Sequence, residues 1–198
     1  MSPTEPRLPP LAEADWDPEI RDTLAKMQDP MSGRVMNVFR TLAHHPKALK
    51  RWLVFAVHVL TKSTLSGRDR EIAILRIGWR CKAEYEWAQH LAVARRYGMT
   101  DEDFERIKLG PDAPGLPENE SLLLRATDEL HDQARISDAT WAGLARHYGK
   151  EQLIDLVLAV GNYTLVSMAL NTLRVQLDPG YGGFTPADRT ALGLDADP

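Results

Sequence analysis

Cysteine is almost absent from this chain: Cys81 is the only one in 198 residues. A lone cysteine forms no internal disulfide, no CxxC redox pair and no four-thiolate zinc site. An excess of one charge is also missing, with 24 Lys and Arg against 28 Asp and Glu and a formal net charge of −4. Without a basic stripe, neither nucleic acid nor an anionic membrane is an expected partner. No alternating β-branched run bounded by a hairpin dipeptide is present, so strands are not predicted. Glycine-rich phosphate loops, GxSxG and HExxH are absent too, which argues against nucleotide binding, a hydrolase elbow and a zincin site. The opening MSPTEPRLPP has no apolar signal-peptide core, and the cytoplasm is the expected location. The longest uncharged stretch lies between Asp155 and Arg174, but Asn162, Tyr163, Thr164, Ser167, Asn171 and Thr172 interrupt it. That pattern predicts a central core helix rather than a membrane span.

What is present is a helical pattern set out by proline. None of the 13 prolines falls between Pro46 and Pro111, or between Pro117 and Pro179. Both spans are therefore free to be helical, and the stretch Leu109 to Asn119 reads as a loop between them. The predicted helices run from Pro18 to about Gln28, Val35 to His44, Pro46 to Leu60, Ser66 to Arg80 and Ala83 to Tyr97. Further helices start at Thr100, at Asn119 or Ser121 (reaching Gln133), at Ser137 and at Glu151, the last reaching about Leu177. Ser66 with Asp69 and Thr100 with Asp103 have cap spacing, and Gly98 suits a helix end. The expected class is all-α. One domain is expected over 1–198: an N-terminal arm to about 16, a helical core over 17–177, and an irregular Gly/Pro/Asp-rich C-terminal arm over 178–198.

Three ionisable residues fall on apolar faces. At about 100° per residue, Glu71 is flanked by Leu75 at about 40°, Ile72 at about 100°, Gly78 at about 340° and Ile74 at about 300°. Arg76, Asp69 and Arg80 gather away from it at about 140–180°. On the next helix, Glu86 and His90 lie side by side by their i, i+4 spacing, pointing inward with Ala94 and Val93. Burial raises a carboxyl pKa and lowers that of His, and a Glu–His pair opposes both shifts. Such a set suits proton transfer; the bland alternative is a buried pair that serves only helix packing.

Other candidates carry less. Asn37 and Arg40 share one helical side, and Arg40 has the fork that binds a substrate carboxylate, although a structural salt bridge explains it as well. Trp87 lies at the edge of the inward face and reads as pocket lining or core. His58 sits in the apolar run WLVFAVHVL, as a core histidine or a pocket residue. Tyr163 interrupts the central helix and can offer a pocket hydrogen bond. Tyr85 falls about 100° from Glu86 and reads as a packing or subunit contact. Cys81 has no activating partner and reads as an inert thiol. A metal held by Glu71, Glu86 and His90 competes with the proton-transfer reading, but a second nearby inward His is missing. No metal ligand is assigned and no cofactor is expected.

The stretch LSGRDREIAILRIGWRCKAEYEWAQH resembles the carboxymuconolactone decarboxylase family, within the alkylhydroperoxidase D-like superfamily. The likeness is strongest from Leu65 to Gly98 and extends more loosely to MNVFRTLAHHP and Leu153–Leu177. The redox branch has a Glu, then CxxC beginning twelve residues on, then a His four residues after the second thiol. Counted from Glu71, those thiols fall on Ala83 and Glu86, and the His on His90. Thiol exchange needs an attacking and a resolving sulfur, so the resemblance points to the decarboxylase-like branch, which lacks CxxC. It implies an alkylhydroperoxidase D-like helical bundle, here with an N-terminal helical extension and the C-terminal arm, assembled as a homo-oligomer. It further implies cofactor-free chemistry on a small carboxylated unsaturated lactone or ring acid from aromatic catabolism. In that reading His90 moves the proton, Glu86 tunes His90, and Glu71 is a second acid–base group. A non-catalytic oligomeric binding or scaffold protein is the alternative, ahead of a metal-dependent enzyme or a thiol peroxidase.

Overall fold

The computed structural model describes residues 5–29 and 32–194. The first four residues of the N-terminal arm and the last four of the C-terminal arm lie outside the described residues. Among the described residues ten α-helices follow in order: α1 (Pro18–Leu24), α2 (Asn37–Leu42), α3 (Pro46–Thr61), α4 (Gly67–Arg80), α5 (Glu84–Arg95), α6 (Asp101–Leu109), α7 (Glu118–Gln133), α8 (Asp138–Leu144), α9 (Lys150–Leu173) and α10 (Pro186–Ala191). Among the described residues there is no strand, only an isolated bridge between Gln28 and Val35.

The starts follow the local signals. The Asp69 amide donates to Ser66 Oγ at 3.0 Å, and Thr100 and Asp103 form a reciprocal capping box. These contacts satisfy amides that the first turn leaves without a partner. Pro46 opens α3, where its fixed φ and missing N–H cost nothing. Several ends fall short of the periodic pattern. α8 stops at Leu144, and α9 stops at Leu173 with Arg174 in the left-handed conformation at φ 54°.

α4 is the axis of the fold. It packs on α5, α7 and α9, and every residue from Arg70 to Trp79 is buried. A helix buried all round has no solvent face for charge, and this overturns the expectation that Arg76 lies on a polar side. Arg76 is 5% exposed. Its Nε and Nη2 each donate to Asp128 at 2.7 Å, and its Nη1 donates to the Ile107 and Lys108 carbonyls at 2.7 and 2.8 Å. A guanidinium so fully paired can be buried where a lone charge cannot.

By length and composition alone α9 is apolar enough to cross a membrane. It lies against α3, α4, α5 and α7 instead, with Leu156, Ala159, Val160 and Leu170 buried in the core. Its outer face leaves Ile154, Leu165 and Met168 exposed.

The C-terminal arm is irregular as far as Thr185 and then forms the short α10, opened by a Thr185–Asp188 capping box. Its described part is tied down at Phe184 and Asp188. Phe184 packs edge-on to Trp79, with ring centroids 5.6 Å apart, and Lys108 meets Asp188 at 2.6 Å.

Candidate active site

Glu71 leaves the second turn of α4, and Glu86 and His90 leave consecutive turns of α5. The helices form a hairpin through Lys82, which takes a left-handed φ of 54°. Gly78 lets them approach closely: a Cβ there would stand 3.4 Å from Glu86 Cγ. The three side chains converge. His90 Nδ1 lies 2.6 Å from Glu71 Oε2, and His90 Nε2 lies 3.0 Å from Glu86 Oε1. The second approach is out of line with the ring N–H, so Glu86 Oε1 is buried with no aligned hydrogen-bond donor. The resemblance had assigned Glu86 the tuning of His90; in the structure Glu71 makes the aligned bond.

Glu71 is 0% exposed. Its other oxygen takes the Arg70 guanidinium at 3.4 Å, and Arg70 is braced by the Tyr97 hydroxyl at 3.0 Å. Two positive groups therefore face this buried carboxylate, the condition for keeping a charge in the interior. Burial alone pushes the His90 pKa down. The charges of Glu71 and then Glu86 outweigh it and hold the ring protonated, with a pKa raised to about 10. Tyr163 stands edge-on to the imidazole at 4.9 Å between centroids. Burial, followed by the two carboxylates, pushes its phenol well above the usual range, so it stays neutral.

Glu86 and His90 open on a cavity of about 230 Å³. Its walls come from α3 (Trp52, Leu53, Ala56, Val57, Leu60), α5 (Tyr85, Gln89, Val93), α9 (Asn162, Tyr163, Val166) and α2 with its cap (Met36, Val38, Phe39). Lys26, Met27 and Gln28, from the segment after α1, close one side. A largely apolar cavity with a few convergent polar groups is the ordinary form of a small-molecule site.

The remaining candidates separate. Tyr163 lines the cavity, but Trp87 does not; it packs on Trp79 with centroids 5.3 Å apart. His58 is exposed and outside the cavity walls, because its position on α3 faces away from the fold. Asn37 and Arg40 also lie off the cavity. Arg40 donates to the Leu11 carbonyl at 2.9 Å and to Asn37 Oδ1 at 3.2 Å, and Asn37 donates to the Gln176 carbonyl at 3.1 Å. Arg40 ties the N-terminal arm to α2, and Asn37 ties the segment after α9 to it. Cys81 caps the end of α4, and burial pushes its thiol up, away from the reactive thiolate.

Sequence reasoning missed Lys26 and Trp52 on the cavity wall, and it missed Asp178. It is 5% exposed and accepts from the Asn37 amide at 3.0 Å, from Gln89 Nε2 at 2.9 Å and from the Tyr85 hydroxyl. Tyr85 and Gln89 are cavity walls, so a carboxylate on the C-terminal arm holds two side chains of the site. No local pattern marks it, since its partners lie 89 and 93 residues away.

The two carboxylates approach opposite ring nitrogens, so the three side chains do not point at a common centre. Among the described residues no group of three or more His, Cys, Asp or Glu is arranged to hold a metal.

The Carboxymuconolactone decarboxylase family profile matches residues 46–129, a span that includes Glu71, Glu86 and His90. Residues 46–129 belong to the carboxymuconolactone decarboxylase family. Comparison with curated protein sequences finds no match. Solved structures agree with the family in fold. The alkylhydroperoxidase AhpD core of an uncharacterized peroxidase-related protein from Ralstonia eutropha JMP134 superposes with a TM-score of 0.78 at 20% identity, covering 88% of this chain and 93% of that one. An uncharacterized peroxidase-related protein from Silicibacter sp. TM1040 gives 0.76 at 18%, covering 91% and 96%. The debrominase Bmp8 in complex with 2,3,4-tribromopyrrole gives 0.69 at 16%, covering 94% and 96%. The fold is AhpD-like and all-α, and at these identities the likeness extends to the fold alone.

Proposed function

We propose that this carboxymuconolactone decarboxylase family protein is a cofactor-independent acid–base enzyme. Its substrate would be a small carboxylated unsaturated lactone or ring acid of aromatic catabolism, and its reaction a decarboxylation or a double-bond isomerisation. The observation that carries the reading is Glu86 Oε1: a buried carboxylate oxygen without an aligned donor, 3.0 Å from a His90 that is itself held by Glu71.

In decarboxylation, the C–C bond to the carboxylate breaks and its electron pair moves into the conjugated carbonyl as CO₂ leaves. The resulting enolate carbon takes one proton from the His90–Glu86 pair, and solvent restores that proton. In isomerisation, Glu86 removes a proton beside the carbonyl and the pair returns it at the far end of the conjugated system. Glu71 keeps the ring oriented through Nδ1 in both cases. The cationic His90 stabilises the enolate charge, and such stabilisation is strongest in a dry cavity. Among the described residues Lys26 is the only Lys or Arg on the cavity wall, and it supplies the counter-charge for a substrate carboxylate.

The test is a screen of carboxylated unsaturated lactones and ring acids, followed for CO₂ release and for double-bond shifts. Turnover that is lost in both E86Q and H90Q, with the helical fold kept, supports the reading. Full activity of both variants on an identified substrate overturns it.

The exposed apolar residues of α9, Ile154, Leu165 and Met168, with Val54 of α3 76% exposed, favour assembly with further copies of the chain, since large apolar patches mark interfaces. Light scattering on wild type and on M168D reads this directly. A monomeric wild type removes the assembly proposal.

A further inference from the structure

A second cavity, of about 240 Å³, lies beside the candidate active site. Val38, Trp52 and Val166 line both. The far walls of the second cavity are aliphatic, among them Leu49, Ala169 and Leu170, and among the described residues its only ionisable wall residue is His45. Two spaces of similar size thus share one wall, and Trp52 is the single large side chain in it.

Trp52 is held in place. Its indole Nε1 donates to Asn162 Oδ1 at 3.0 Å, and Asn162 is 6% exposed on α9. On its other flank the Phe39 ring lies at 6.4 Å between centroids, tilted by 39°. An indole that is hydrogen-bonded and packed against a second aromatic ring is a fixed partition rather than a swinging one. A ligand on the Glu86–His90 side that carries a chain directed at this wall meets the indole.

We infer that Trp52 sets the size of the substrate: it confines the site to a single small ring, and its removal joins the two cavities so that a ring acid with an apolar arm is accepted. This inference rests on the carboxylated-ring reading for the class of head group, but it is read by binding and not by turnover. Each methylene that moves from water into the second cavity is worth roughly a fourfold gain in affinity, and a wall that forbids entry turns that gain into a loss.

The experiment is calorimetric titration of furan carboxylates that are unsubstituted or carry a propyl or pentyl arm opposite the carboxylate. Wild type is expected to bind the unsubstituted ring at least tenfold more tightly than the pentyl compound. W52F keeps an aromatic wall without the indole N–H, and it should keep this order. W52A should reverse it, with the pentyl compound gaining at least tenfold over its wild-type value. W52V, a smaller loss of packing, carries the same expectation if W52A does not fold. Adding A169W to the permissive variant fills the second cavity from its far side and should abolish the gain, which general loosening of the fold would not. The inference is overturned if wild type binds the pentyl compound as tightly as the bare ring, or if neither W52A nor W52V shifts the order. It is also overturned if A169W leaves the gain intact, or if no compound binds any variant. The functional reading fails separately, on the absence of product formation, whatever the binding order.

Discussion

Glu71 Oε2 and His90 Nδ1 stand 2.6 Å apart across the α4–α5 hairpin, and Glu86 Oε1 stands 3.0 Å from the other ring nitrogen. The imidazole is bracketed by two carboxylates of unequal geometry. One holds it in line; the other is buried with no aligned donor.

The bracketing predicts a pH-dependent stability. The folded-state pKa of His90 is raised from 6.5 to about 10, so the folded protein binds this proton more tightly than the unfolded chain. Its contribution is fully present below about pH 6.5 and is lost as pH rises through about 10. Thermal unfolding followed from pH 6 to pH 10 should show that decline, and H90Q should flatten it. An equal slope in H90Q would place the dependence elsewhere.

On the substrate found by the screen, E86Q and H90Q should each lower kcat by about 10²–10⁴-fold, the usual contribution of a positioned acid–base group. Circular dichroism should show unchanged helix content. E71Q should reduce kcat less than H90Q and shift the pH profile of kcat, because it weakens the hold on the ring without removing the ring.

Asp178 predicts a link between the C-terminal arm and the site. D178A leaves the Asn37 amide, Gln89 and Tyr85 without their shared acceptor. Unsatisfied buried donors cost about 1–3 kcal/mol each, and relaxation recovers part of this, so a loss of roughly 2–4 kcal/mol is expected in urea unfolding. KM should rise more than kcat falls, since walls are disturbed and the Glu71–His90 bond is not.

Arg76 predicts destabilisation without a catalytic signature. R76A removes the buried partner of Asp128 and leaves that carboxylate only Arg80 Nε at 3.7 Å; breaking a buried ion pair costs about 3–5 kcal/mol, and the remaining Arg80 contact places the loss at the lower end of that range. Urea unfolding reads the loss. Wherever the variant remains folded, KM for the screened substrate should match wild type.

Much of this was legible because it is local. Cap bonds at Ser66 and Thr100 span three residues, and the inward pairing of Glu86 with His90 follows from 3.6 residues per turn alone. The apolar surroundings of Glu71 follow from its wheel in the same way. Helix ends were less legible: α9 stops at Leu173 although the apolar pattern continues toward Leu177, because the chain there turns away to place Asp178 behind Tyr85.

The sequence by itself determined an all-helical chain, the absence of a dithiol, and three ionisable side chains on the inner faces of two successive helices, since each depends on composition or on the period of a single helix. Tertiary structure alone decided which carboxylate meets which ring nitrogen, that Arg76 is buried against Asp128, that Trp87 and His58 face away from the cavity, and that Trp52 and Asp178 shape it. Each of these depends on how separate elements cross and on partners far along the chain, and no short-range pattern carries that information.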